Sequence, residues 1–411
     1  MLLRLYPSDD GGCELFPLSR SFNFRSVSFN SSTSPSNWVN CLRNSAFSAR
    51  CRKYCSYQYR TPISSGSNSG AAILAAKWAS LGSILLNLTH PLQFSDSHLT
   101  FLIALTNYKI FTIPKKSGGE RIIYSPNGSL SIIQRKLSQV LYAIYVPKPS
   151  THGFAAQRSI ITNAKCHTRK RFILNLDLEN FFDSINFGRV RGIFASQPYN
   201  LNPKVATILA QICCFDNKLP QGAPSSPIIS NIVCVKLDKE LQRFAKSYNL
   251  FYTRYADDIT FSSTMKRVPV GLVKSSSASI TEENLSTELI EIIKNNGFEI
   301  NFNKVRLLDR NVRQEVTGLI TNDFVNVNRK YIRNLRGALN AWEKHGIDKA
   351  TDYYLKNYAK KPTLPGKEVP YFIDSLRGKI EFVGSVRGKD DALHKKLLRI
   401  FNELSTQSLS L

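Results

Sequence analysis

From Leu15 to Ser95 the chain contains no aspartate or glutamate. Acids are scarce throughout, 30 against 55 lysines and arginines, for a net charge of +25. An excess of that size excludes a chain built to repel polyanions and points to nucleic acid as partner. An anionic membrane surface fits less well, because no amphipathic basic helix stands apart. Long apolar runs are missing too. The greasiest stretch, Gly70 to Leu88, is broken by Lys77, Ser80, Gly82, Ser83 and Asn87, so it falls short of the ~18 unbroken residues of a membrane span. Paired CxxC motifs are also absent. Of eight cysteines only Cys41, Cys51 and Cys55 cluster, a weak zinc pattern and a weaker disulfide framework. Free thiols in a reducing cytoplasm, away from membranes, are expected.

The acid-free segment is itself informative. Residues 15–70 carry 15 serines and scattered arginines, which cannot bury enough apolar surface to order a core. Residues 1–69 therefore read as a flexible basic extension, or as translation assigned from a start set too far upstream. An organelle transit peptide shares the composition, but Asp9, Asp10 and Glu14 count against it.

Beyond that, ordered elements are expected. Residues 71–88 read as a helix, 109–124 as a hairpin turning at Ser117-Gly118-Gly119, and 129–145 and 158–168 as helices. Residues 172–178, FILNLDL, read as a strand with Phe172, Leu174, Leu176 and Leu178 on one face and Ile173, Asn175 and Asp177 on the other. Helices follow over 203–214 and after Pro227. A second hairpin spans 251–262, FYTRYADDITFS. Residues 284–296 read as a helix, 298–320 as two short strands, and the chain from Asn328 as helical and basic.

Three carboxylates stand out. Asp177 ends a strand opposite its apolar stripe, and Asp257 and Asp258 are adjacent in a tight hairpin. Magnesium prefers hard oxygen ligands and takes one or two carboxylates plus phosphates. Two such ions can clamp the attacking and leaving oxygens of a phosphoryl transfer. A lone Asp-Asp pair is more often a solvated turn; here apolar strands flank it and NLDLENFFDSI precedes it.

NLDLENFFDSI (175–185), LPQGAPSSP (219–227) and YADD (255–258), in that order, resemble the motifs of reverse transcriptases. The resemblance runs from about Ala71 to Leu404. It implies an α+β right-hand polymerase: fingers over 70–170, a palm with a split βαβ sheet over 171–320 (part of the fingers at 187–225), and a helical thumb over 321–411. It implies two Mg2+ ions on Asp177, Asp257 and Asp258, and deoxynucleoside triphosphates as substrates. Phe182 matches an aromatic gate under the sugar, with Phe181 left to the core. Gln221 and Gly222 match a loop touching nucleotide and template. Lys115, Lys116 and Arg121, around the first hairpin turn, match residues that grip the triphosphate, and Lys304 matches a lysine that protonates pyrophosphate.

Two shorter motifs resemble the retron branch: Asn163-Ala164-Lys165-Cys166-His167, an NAxxH element, and Val316-Thr317-Gly318, a VTG element; the resemblance implies RNA contact by Asn163, His167, Val316, Thr317 and Gly318. Asn and His four apart could equally satisfy a core. Membership of that branch implies a cognate non-coding RNA as template, a branched RNA–DNA product, a role in antiphage defence and an effector protein. Group II intron, diversity-generating and abortive-infection reverse transcriptases are the alternatives. A non-enzymatic RNA-binding protein with a degenerate polymerase fold is disfavoured by the three intact aspartates. In 328–344, Ile332, Leu335, Leu339 and Trp342 follow helical spacing toward a core, while Arg329, Arg333 and Arg336 share another face suited to nucleic-acid phosphates.

Overall fold

The structure, a computed structural model, describes residues 3–7, 13–17, 108–115, 118–274, 280–357 and 371–409. The helix expected over 71–88, Lys116 and the Cys41/Cys51/Cys55 cluster lie outside them. The chain divides into two compact units, Met1–Gln93 and Phe94–Leu411.

In the first unit, strands β1 (Leu3–Pro7) and β2 (Cys13–Pro17) pair antiparallel, Leu5 opposite Leu15. The sequence reading expects no strands here. The intervening Ser-Asp-Asp-Gly-Gly has turn composition, a signal outweighed in that reading by the serine- and arginine-rich segment that follows.

The second unit opens with the expected hairpin, β3 (Tyr108–Pro114) against β4 (Glu120–Pro126). Helix α1 (Gly128–Ile144) follows, then the short α2 (Ile160–Lys165), started by a capping box in which the Ser159 and Thr162 side chains serve each other's backbone N–H groups. A four-stranded sheet organises the rest: β5 (Phe172–Asp177), β6 (Phe251–Tyr255), β7 (Asp258–Ser263) and β8 (Arg306–Asp309). Its order is β6-β7-β5-β8, with every neighbouring pair antiparallel. β5 and β6 are therefore parallel with β7 between them, the split βαβ arrangement expected. Helices α3 (Phe187–Ala195), α4 (Pro203–Cys213), α5 (Ser226–Val233) and α6 (Val235–Ser247) make the first crossover. Helix α7 (Thr287–Asn295) lies within the second.

The alternation in β5 is real, but its second face is not open. Ile173 is buried with Val316 and Leu319, because the small hairpin of β9 (Glu315–Val316) and β10 (Leu319–Ile320) covers it. The stretch expected to hold two strands holds three. The remaining chain is helical: α8 (Arg329–Asn357), kinked at Gly346, α9 (Phe372–Arg387) and α10 (Ala392–Leu409). Leu335, Leu339 and Trp342 face inward as expected, and Trp342 meets Phe372 and Phe401 edge-on with ring centroids 5.9 and 5.8 Å apart. No described helix is long and apolar enough to cross a membrane. Cys166, Cys213, Cys214 and Cys234 are free thiols.

Candidate active site

Register brings the carboxylates together. Tyr255 pairs with Asp258 across the β6–β7 turn, which leaves Ala256 and Asp257 as its two central residues, Ala256 at φ 56°. On the other side of β7, Asp258 pairs directly with Asp177. Opposed residues of an antiparallel pair share a face, and like charges placed so repel. The next step of the ladder closes on Asp257, whose carbonyl accepts the Leu178 N–H at 3.0 Å. The sheet therefore spends stability to hold three carboxylates at one edge.

The electrostatics follow. Burial, then the charges of Asp257 and Asp177, pushes Asp258 up to about 7. Burial and the Asp177 charge also raise Asp257, against the pull of Lys304 and Arg121. Lys304 is the counterion in place: its Nζ lies 3.0 and 2.9 Å from the two Asp177 carboxylate oxygens. Among the described residues, no three His, Cys, Asp or Glu side chains close into a metal cage. Magnesium engaged in phosphoryl transfer needs none, since water and substrate phosphates complete its octahedron. An edge where Asp257 and Asp258 are crowded against a third carboxylate, and have raised proton affinity, fits such an ion.

The other expected residues lie on the first hairpin, after β5 and in the 219–227 loop. Arg121 is exposed near the hairpin tip, opposite Ile113 and close enough to act on Asp257. Lys115 is exposed at the same tip, its backbone N–H bonded to the Gly119 carbonyl at 2.9 Å. Phe181 is buried and stacked on Phe298 at 5.5 Å, whereas Phe182 is half-buried. Of the two rings, Phe181 belongs to the core and Phe182 is the more exposed. Gln221 is half-exposed, and its carbonyl accepts the Tyr124 N–H at 2.8 Å. Gly222 has φ 117°, and a Cβ there would lie 2.8 Å from Ile123 Cγ2 and 2.9 Å from the Tyr124 carbonyl oxygen. The close backbone approach that this glycine permits is thus to strand β4.

The sequence reading passes over what holds the aspartate turn. Arg254, fully buried, places Nε and Nη2 on the two Asp238 oxygens at 2.7 and 2.8 Å, and its Nη1 donates to the Ala256 carbonyl at 2.9 Å. Tyr252 and Thr151 hydroxyls donate to the same carboxylate at 2.7 and 2.9 Å. Burial alone raises the Asp238 carboxyl; the Arg254 guanidinium and these hydroxyls bring it below its ordinary range. An arginine amid YTRYADD is the sequence signal. Its partner lies 16 residues away on another element, which no local pattern reveals.

The retron-like motifs are neighbours: α2, which bears Asn163, packs on β9 and β10, which flank Thr317 and Gly318. These two have φ 47° and 82° in a two-residue hairpin, and Val316 is buried. The expectation of direct RNA contact by Asn163 and His167 needs correction. Both side chains are buried. His167 spends one ring nitrogen on Ser262 at 2.6 Å and the other on Thr253 at 2.7 Å. Burial, with the Lys170 charge second, pushes it down to about 3, so it is neutral and brings no charge to a phosphate. Neither amide atom of Asn163 has a hydrogen-bond partner among the described residues. His167 ties the end of α2 to the sheet, and the Thr317 hydroxyl, donating to the Ile160 carbonyl at 3.3 Å, ties the small hairpin to α2. Thr317 and Gly318 do reach the surface, as do Arg329, Arg333 and Arg336 on α8.

A split βαβ sheet with aspartates on its first strand and in the turn that joins β6 to β7, within reach of the Arg121 charge, defines a nucleic-acid polymerase. Residues 113–321 match the family described as reverse transcriptase (RNA-dependent DNA polymerase). Retron Ec86 reverse transcriptase of Escherichia coli is 35% identical over 301 residues, 72% of this chain and 81% of that one. Retron Mx65 and Mx162 reverse transcriptases of Myxococcus xanthus are 33% and 35% identical over 252 and 273 residues, covering 57% and 58% of this chain and 55% and 53% of theirs. The chain thus spans little more than half the length of those two. The chain belongs to the retron reverse transcriptase family and is an RNA-directed DNA polymerase.

Proposed function

We propose that the protein copies a cognate non-coding RNA into DNA that stays joined to it as a branched hybrid, with the Phe94–Leu411 unit arranged as fingers, palm and thumb. The observation carrying this reading is the direct pairing of Asp177 with Asp258 beside Asp257, an arrangement whose repulsion makes sense only around cations. Asp177, Asp257 and Asp258 would hold two magnesium ions, which would supply Lewis acidity to the phosphoryl transfer. The chain's own side chains do the rest. Lys115 and Arg121 hold the triphosphate, Arg by its bidentate geometry. Phe182 lies under the sugar and excludes a 2′-hydroxyl. Gln221 and Gly222 shape the nucleotide's floor by docking on β4. A hydroxyl of the primer gives up its proton to solvent and attacks the α-phosphorus, the bond from that phosphorus to the bridging oxygen breaks, and pyrophosphate leaves with Lys304 as the proton source for it. Positioning and charge neutralisation account for most of such a rate.

The branched product, its use in antiphage defence and an effector partner rest on the likeness to retron enzymes. One experiment tests polymerase and branch together. The chain is expressed with its neighbouring RNA locus, and bound nucleic acid is extracted, treated with RNase, then with debranching enzyme. Wild type yields a DNA whose migration quickens after debranching, and Asp257→Asn yields none. Unbranched DNA from wild type rejects the branch and leaves the polymerase; DNA from Asp257→Asn rejects the site.

A further inference from the structure

Phe154 has a backbone conformation that its side chain disfavours. Its φ is 52°, in the left-handed region that bulky residues rarely enter. Such strain persists only where the surroundings impose it, and here several do. At Gly153 an added Cβ would run into the backbone N of Ala256 and lie 2.9 Å from the Tyr255 carbonyl carbon, so the loop sits directly on the aspartate turn. The upstream side of the loop is stitched to β6, with Arg254 N–H bonded to the Ser150 carbonyl and His152 N–H to the Arg254 carbonyl, both at 2.8 Å. From helix α5, the fully buried Asn231 donates its amide to the Gly153 and Phe154 carbonyls at 2.9 and 3.1 Å. The Asn231 oxygen in turn accepts Arg254 Nη2 at 3.3 Å. The same guanidinium therefore fixes the loop and the Asp257-bearing turn.

All this places one half-buried ring. The Phe154 centroid lies 6.3 Å from that of Phe182, with planes at 47°, within the range in which aromatic pairs attract. A gate that rejects one extra oxygen must not swing, yet a half-buried phenylalanine has rotamers to spare. We propose that Phe154 is a specificity-determining residue for the sugar of the incoming nucleotide: it backs Phe182 as a second aromatic wall, and Asn231 is its positioning residue. The inference rests on Phe182 being the gate.

The test is primer extension by the full-length protein with deoxy- and ribonucleoside triphosphates, read as the ratio of the two kcat/KM values. Phe182→Ala lowers the ratio most. Phe154→Ala lowers it by about tenfold or more, Phe154→Tyr restores it, and the double variant is no worse than Phe182→Ala alone, because both act through one ring. Asn231→Asp keeps the volume, removes both amide donors and lowers the ratio as Phe154→Ala does. A general structural loss would reduce both kcat/KM values together and leave the ratio unmoved. If Phe182→Ala lowers the ratio and Phe154→Ala, folded by its thermal midpoint, leaves it at the wild-type value, the inference is overturned and the gate stands. If Phe182→Ala itself changes nothing, both readings fall. Should Asn231→Asp not fold, the Phe154 variants alone decide.

Discussion

Asp258 faces two other carboxylates from a half-buried position, and the metal-free protein must bear the consequence. Its proton affinity is raised from an ordinary value of about 3.9 to about 7. Between those values the folded chain holds a proton that the unfolded chain has released. Stability from this group is therefore fully present below about pH 4 and is lost as pH rises toward 7. Without divalent cations, the thermal midpoint of wild type should fall relative to Asp258→Asn between about pH 4 and 7. Magnesium should narrow that gap, and more at pH 7.5 than at pH 5, since protons and metal compete for the same oxygens. Parallel curves for the two proteins in chelator would refute the crowding.

At the scale of elements, the loop 219–227 and the β3–β4 hairpin are one construction. Gln221 lends its carbonyl to Tyr124, and Gly222 lies where no Cβ fits against Ile123 and the Tyr124 carbonyl. Gly222→Ala must adopt an unfavourable φ and also push β4 away. It should cost about 1–3 kcal/mol in chemical denaturation and raise KM for deoxynucleotides more than it lowers kcat, because Arg121 rides on the displaced strand. An unchanged KM would separate the hairpin from nucleotide binding. This docking also marks the limit of what the sequence could say. The hairpin, the β5 alternation and the aspartate turn were legible because each is written in consecutive residues. The Arg254–Asp238–Asn231 cluster was not, since its members come from three elements and meet only in the folded sheet. The role of His167 is hidden for the same reason: spacing allows RNA contact or a core position, and only tertiary packing shows Ser262 and Thr253 filling its hydrogen bonds.

Across the whole molecule the charge of +25 needs a polyanion, and the described surface suggests where part of it acts. Arg329, Arg333 and Arg336 stay exposed on α8 while Leu335, Leu339 and Trp342, from the same helix, anchor it to α9 and α10. A rigid helix with one face buried presents three arginines at fixed backbone spacing, so binding has only their side chains left to order. Folded RNA is recognised mainly through its backbone and shape, and each phosphate neutralised releases counterion. Replacing all three arginines by alanine should weaken RNA binding at low salt and flatten the dependence of log affinity on log salt by about one unit per arginine that meets a phosphate, about three in all. The core beneath is untouched, so the thermal midpoint should hold. Extension of a short DNA primer on an unstructured template, which depends on the Asp177–Asp258 edge, should fall far less than synthesis on the cognate RNA. A salt slope equal to that of wild type would move the RNA to another face of the protein.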